Sequence, residues 1–145
     1  MSLPENSIAE AQQELIETFS FLPDWQEKYQ YIIELGQQLE PMAESDKTDD
    51  VLVRGCQSRV WMRPRFEDGR LRFDANSDAI IVSGLIAMLK MVYDNRPPRE
   101  VLETPPDFIG EIGLSRHLSQ SRANGLLSML QRLREAAVDY SGTAA

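Results

Sequence analysis

Between Ala79 and Tyr93 almost every side chain is apolar, around the whole circumference of a helix rather than along one stripe. A helix of that composition needs other elements to cover it on most sides. Asn76-Ser77-Asp78, just before it, supplies side chains of the kind that cap a helix start. Asp94-Asn95-Arg96-Pro97-Pro98 closes it with a turn. The stretch holds Lys90 and stays short of the roughly 18 to 20 residues that a membrane span needs. It therefore reads as a central helix packed across a sheet in a soluble domain.

The flanking sequence supplies the cover. Ser7-Ile8-Ala9-Glu10 fits a capping box, and Ile8, Ala11, Leu15, Ile16 and Phe19 follow at helical spacing up to Leu22-Pro23. Asp24 opens a second helix, with Trp25, Tyr29, Ile32, Ile33 and Leu39 on one face and Pro41 as its stop. The two are expected as an antiparallel pair. Residues 40–50 are polar and acidic without apolar period, which predicts an exposed loop. Three short strands are expected next: Val51–Val53, then Val60–Phe66 interrupted at Pro64, then Leu71–Ala75 after the hairpin turn Asp68-Gly69. Beyond the central helix, Arg99–Glu103 and Asp107–Ile112 read as short helices, Ser115–Leu118 as a turn, and Ser121 as the cap of a last helix carrying Leu126, Leu127, Leu130, Leu133 and Ala137. The fold class is α+β: a small antiparallel three-stranded sheet covered by helices. The 145 residues have room for one such core, so a single domain is expected over 1–145.

Charge and cysteine usage exclude whole classes of function. Fifteen basic against 23 acidic side chains give a net charge of −8. That argues against nucleic acid, whose binding leans on cationic phosphate contacts, and against an anionic membrane surface. One cysteine and one histidine cannot build a Cys/His zinc site or an internal disulfide. Met1–Glu10 has no basic region followed by an apolar one, so no signal peptide is expected and the cytoplasm is. There is no GxxxxGK[ST] or GxGxxG phosphate loop and no CxxC pair. A phosphatase-type loop needs arginine six positions after its cysteine, where Met62 stands and Arg63 comes one too late.

What remains is the single thiol, in Val53-Arg54-Gly55-Cys56-Gln57-Ser58-Arg59-Val60-Trp61. Cys56 falls in a connection between strands, where reactive groups are commonly displayed, and Gly55 beside it frees the backbone. Arg54 and Arg59 are expected to favour the thiolate. Three readings stay open on these residues: a thiol that carries a group, a hydrolytic pair of Cys56 with His117 as base, and a cysteine that is merely packed. Arg122 sits in the first turn of the last helix, against the helix dipole. That placement implies a tertiary or functional partner, or else a solvated or ion-paired arginine. Trp61 is expected in the core.

Four segments, in order over nearly the whole chain, resemble one family. They are Gly55-Cys56-Gln57-Ser58-x-Val60-Trp61; Asp24-Trp25-x-Glu27-Lys28-Tyr29-x-Tyr31-Ile32-Ile33-Glu34-Leu35-Gly36; Ser77-Asp78-Ala79-x-Ile81-Val82-x-Gly84-Leu85; and Gly113-Leu114, His117-Leu118-Ser119 and Arg122-x-x-Gly125-Leu126. The family is that of SufE and CsdE, sulfur acceptors of iron–sulfur cluster assembly, with the fold also seen in IscU-type scaffolds. The resemblance implies that Cys56 accepts a persulfide sulfur from a pyridoxal-phosphate-dependent cysteine desulfurase of the SufS or CsdA type, stimulates that enzyme, and delivers the sulfur to a SufBCD-type scaffold. It implies that the chain binds no pyridoxal phosphate or other cofactor of its own and makes no cluster alone. It places Gly55, Gln57, Ser58, Ser77, Asp78 and Arg122 at the loop or on the partner-facing surface. Transfer of this kind needs one thiol only, and protection of the product implies a cysteine tucked against apolar neighbours at rest, with Gly55 as a hinge.

Overall fold

The computed structural model describes residues 6–143; the outermost positions of the expected domain, 1–5 and 144–145, lie outside the described residues, as does half of the stretch read for a signal peptide. Helix α1 (Ile8–Ser20) starts on the expected reciprocal cap, the Ser7 hydroxyl accepting the Glu10 N–H and the Glu10 carboxylate accepting the Ser7 N–H. Helix α2 (Trp25–Gln37) opens on Asp24, whose carboxylate accepts the Glu27 N–H. Both caps satisfy backbone donors that a helix start leaves free.

Between them in space runs α3 (Ile80–Tyr93), with Val82, Leu85, Ile86, Met88, Leu89 and Val92 all buried. α2 packs along it closely enough that a β-carbon on Gly84 would stand 2.1 Å from the Ile32 carbonyl oxygen, and one on Gly36 would stand 2.6 Å from the Gly84 nitrogen. Two glycines thus let the backbones meet. α1 packs against α3 and α5 instead, touching α2 through the edge-on rings of Phe19 and Tyr31, 5.3 Å between centroids. The two N-terminal helices are satellites of α3 more than a pair.

The sheet has two strands, not three. β1 (Val60–Glu67) and β2 (Arg70–Ser77) form an antiparallel hairpin, with Val60 opposite Ser77 and Glu67 opposite Arg70. Its two-residue turn, Asp68-Gly69, has φ of 53° and 76°, the backbone that matches strand twist. Val60 and Met62 alternate inward with Leu71, Phe73 and Ala75. Pro64 sits within β1 without breaking it. Its partner Phe73 turns its own N–H and carbonyl away from β1, to Asp94 and Lys90, so Pro64 lacks a donor only on the outer edge. That same edge is where a third strand would have to pair. Val51–Val53 contributes a single bridge, Leu52 to Trp61, and one Val53 N–H to Val60 carbonyl bond of 2.8 Å. Residues 49–51 form a 3₁₀ turn before it, and Gly55, at φ 90°, turns the chain away after it.

Residues 40–50 are tied down rather than free. The buried Asn76 accepts the Met42 N–H at 2.6 Å and donates to the Glu40 carbonyl at 3.0 Å, and Met42 is itself buried. Asn76 is therefore a hook for this segment and not a helix cap. Trp61 is half-buried instead of core, its ring lying under the Lys47 ammonium at 5.2 Å. Helices α4 (Pro98–Glu103) and α5 (Asp107–Ile112) fall where expected, and the turn before the last helix closes as one helical turn, α6 (Leu114–His117). The long α7 (Gln120–Thr143) starts on Ser119, not Ser121: the Ser119 hydroxyl accepts the Arg122 N–H at 3.3 Å. It packs against α4 and the hairpin. Among the described residues no helix is long and apolar enough to cross a membrane.

Candidate functional site

The loop from Arg54 to Arg59 leaves the Leu52 bridge, crosses the first turns of α7 and enters β1. Two contacts seat it on that helix. A β-carbon at Gly55 would stand 2.5 Å from the Ser128 hydroxyl oxygen, and one at Gly125 would stand 3.4 Å from Cys56 Sγ. Gly55 also needs its positive φ, a conformation costly to any residue with a β-carbon. The Cys56 thiol points at the Gly125 carbonyl oxygen, 3.7 Å away.

Cys56 is half-buried and packs against the core. It lines a cavity of about 350 Å³ together with Gln57 and Ser58. Val60, Val82, Leu85, Leu126 and Met129 make the apolar wall, and Ser119, Ser121 and Arg122 bring polar groups from the start of α7. Burial pushes the thiol pKa up, and no charged group counters it. The expected action of Arg54 and Arg59 on the thiol is thus not observed: both are exposed, and desolvation alone decides the direction. A thiol of this kind is neutral and slow to react until it leaves its seat.

The downstream end of the loop is held by two residues from the end of β2 and the link to α3. Asp78 accepts the Arg59 N–H at 3.1 Å, and the Ser77 hydroxyl donates to the Arg59 carbonyl at 2.8 Å while accepting the Ala79 N–H. With Asn76 hooking residues 40–42, three consecutive side chains fix the chain on both sides of Cys56. Of the residues singled out in the sequence, Gly55, Gln57, Ser58, Ser77, Asp78 and Arg122 all gather at the loop or its cavity.

His117 does not. Its ring stacks on Trp25 at 4.1 Å, its Nδ1 lies 3.0 Å from the Gly113 carbonyl, and its own carbonyl accepts the Tyr29 hydroxyl. Nor is there a carboxylate or histidine among the residues lining the Cys56 cavity. A hydrolytic thiol needs a base within hydrogen-bond reach, and the Cys56–His117 pair is not built. Among the described residues no cluster of His, Cys, Asp or Glu is placed to hold a metal ion. Sequence reasoning missed Ser128 and the placement of Gly125 under the thiol. The available signal was a glycine inside a helical pattern, which marks a close approach when it is not a cap.

Residues 13–137 match the family model of the SufE domain, described as an iron–sulfur metabolism associated domain. The chain is 40% identical over 129 residues to a SufE-like protein of Rhizobium meliloti (strain 1021), covering 86% of this chain and 92% of the relative. It is 39% identical over 129 residues to one of Rhizobium etli, covering 86% and 87%. Among solved structures, that of a hypothetical protein from Thermus thermophilus superposes with a TM-score of 0.75 over 92% of this chain and 96% of that one, at 24% identity. That last likeness speaks for the fold.

Proposed function

Because this chain belongs to the SufE family of iron–sulfur metabolism, we propose that Cys56 is a sulfur acceptor, loaded from the persulfide of a pyridoxal-phosphate-dependent cysteine desulfurase of the SufS or CsdA type. The observation that carries the reading is the sole thiol, seated in a cavity without an acid–base partner, on a loop that Gly55 allows to turn. Such a group suits exchange chemistry with a partner's sulfur, where the donor itself supplies the activated bond.

The transfer balances without any outside oxidant. Cys56, as thiolate, attacks the terminal sulfur of the donor Cys–S–SH. A new S–S bond forms at Cys56 Sγ, the donor's S–S bond breaks, and the donor cysteine leaves as a thiolate that takes up the proton Cys56 gave away. Donor persulfide plus Cys56 thiol becomes donor thiol plus Cys56 persulfide. The product sulfur then has the cavity beside it as shelter from small reductants until a SufBCD-type scaffold takes it. Draining the donor's persulfide accounts for stimulation of that enzyme. Gln57, Ser58, Ser77, Asp78 and Arg122 belong to this site as loop and partner-facing residues, and the cytoplasm is the compartment the reading assigns.

The test is intact mass after incubation with a SufS-type desulfurase and L-cysteine. The expected result is one added sulfur atom, absent in Cys56→Ser and retained in His117→Ala. A wild-type chain that gains no sulfur from a charged donor defeats the reading.

A further inference from the structure

The arginines of the hairpin all find oxygen partners. Arg63 pairs with Asp46 at 2.9 Å, Arg65 with Asp74 at 2.9 Å, and Arg72 with Asp94 at 3.4 Å, while Arg70 donates to the Asn95 carbonyl at 2.8 Å. Arg54 and Arg59, on the two flanks of the Cys56 loop, do not. Both are exposed, and neither forms an ion pair among the described residues. Scarcity of acid is not the cause, since acidic side chains outnumber basic ones 23 to 15. Asp78 is close by, yet its carboxylate takes the Arg59 backbone N–H and leaves the guanidinium free. Nor do these charges act on the thiol, whose pKa shift has burial as its only cause.

Apolar side chains stand exposed beside the same loop. Leu127 is 58% and Ile80 is 67% exposed. Leu127 lines a groove of about 610 Å³ together with Leu52, Val53 and Arg54. Ile80 opens α3, two residues after Asp78. Arginines around apolar anchors are the composition of a docking face.

We propose that the face around Cys56 docks a protein carrying acidic side chains on either side of its own sulfur-bearing cysteine, with Arg54 and Arg59 orienting it and Leu127 and Ile80 giving apolar contact. The occupant is the sulfur donor, so the proposal rests on the function read above. Asp49, Asp50 and Glu135 line the groove beside Arg54 and Arg132, so a partner's acids are drawn to the arginines of this lining and repelled by its carboxylates. A chain of net charge −8 would thereby meet its donor in one orientation. Rim charges of this kind act on the rate and salt dependence of encounter more than on the chemistry.

The experiment measures sulfur loading of Cys56 by intact mass against the concentration of a SufS-type desulfurase held in excess L-cysteine, at low and at high salt. Binding of that enzyme is followed in parallel by calorimetry. For Arg54→Glu/Arg59→Glu the donor concentration for half-maximal loading is expected to rise about tenfold or more at low salt, with most of the difference lost at high salt. Loading at saturating donor still reaches one sulfur, and alkylation of Cys56 by iodoacetamide, a neutral probe, stays within about twofold. Arg99→Glu, an exposed reversal on α4 away from both cavities, is the control for a charge reversal elsewhere on the surface and is expected to load like the wild type. Leu127→Ser is expected to weaken binding at both salt concentrations. A double reversal that loads at the wild-type donor concentration, or one matched by Arg99→Glu, overturns the docking face and leaves the acceptor role standing. A wild-type chain that neither binds the desulfurase nor gains sulfur overturns both.

Discussion

Gly125 lies directly beneath Cys56: the thiol points at its carbonyl oxygen from 3.7 Å, and a β-carbon there would reach within 3.4 Å of the sulfur. Within a helix a glycine costs about 0.5–1 kcal/mol relative to alanine, so the space it leaves for the sulfur has a stability cost. Gly125→Ala is expected to hold or raise the melting temperature while crowding the sulfur out of its seat. Alkylation of Cys56 by iodoacetamide at pH 7 should speed up a few-fold, and Gly125→Leu, which fills the seat, should speed it about tenfold. The opposite pairing, lower stability with unchanged alkylation, would mean that the glycine serves only the helix.

Beside a backbone bond from the Asp78 N–H to the Arg59 carbonyl at 3.3 Å, the Asp78 carboxylate holds the far end of the loop by accepting the Arg59 N–H. Its removal in Asp78→Ala leaves that amide to solvent and is expected to cost about 1 kcal/mol, to raise hydrogen exchange at Arg59, and to raise Cys56 alkylation. Asp78→Asn keeps an acceptor oxygen and should restore slow exchange. If Asn behaves like Ala, the charge and not the bond does the holding.

Why some of this was legible in the chain and some was not has a physical cause in each case. The caps at Ser7 with Glu10 and at Asp24 are contacts within three residues, so the letters alone contain both partners. The hairpin turn Asp68-Gly69 is equally local. Val51–Val53 reads as a strand because its residues favour extended backbone, but a strand needs a neighbour's edge, and Pro64 and Gly55 deny it one. Ser119 and Ser121 are equivalent as letters; the point where α7 begins decides which one caps. Asn76 reads as a helix cap and acts as a hook, because its partners lie more than thirty residues upstream. The site follows the same division. Cys56, Gly55 and the residues beside them stand together in the sequence. The seat at Gly125, 69 residues away, and the separation of His117 from the thiol arise only when α7 packs under the loop.

Burial raises two acids here, which sets the sign of the alkaline behaviour. The Cys56 thiol lies above its ordinary value, and the Tyr93 phenol is pushed up to about 12 by burial. A folded pKa above the unfolded one means that the folded state holds its proton longer. The associated stability is complete below the unfolded pKa, near 10 for tyrosine, and is lost as pH rises through the folded value of about 12. Stability is therefore expected to fall between pH 10 and 12, and Tyr93→Phe should flatten that slope in urea titrations. Cys56 alkylation, measured against pH, should rise with a midpoint above that of a free cysteine peptide. A midpoint below it would show that a positive charge governs the thiol after all.

The crossing of α2 and α3 leaves no room for side chains at its centre, and it is the contact on which α3, the wall of the Cys56 cavity, is braced. A β-carbon on Gly84 would meet the Ile32 carbonyl oxygen at 2.1 Å, a backbone atom that cannot rotate aside. Gly84→Ala gains helix propensity of about 1 kcal/mol but must push the helices apart, at a cost of about 1–3 kcal/mol or more. With the Ile32 carbonyl unable to rotate aside, the clash falls at the upper end of that range and outweighs the propensity, and a net loss of about 1–2 kcal/mol is expected in chemical denaturation. Because Val82 and Leu85 line the cavity from either side of Gly84, the same shift should loosen the thiol's apolar wall and raise its alkylation rate. Gly110 offers the comparison: no atom stands within 4 Å of where its β-carbon would be, so Gly110→Ala in helix α5 should be stabilising or neutral and leave Cys56 unchanged. Equal effects from the two substitutions would show that helix propensity, and not the close crossing, determines the outcome.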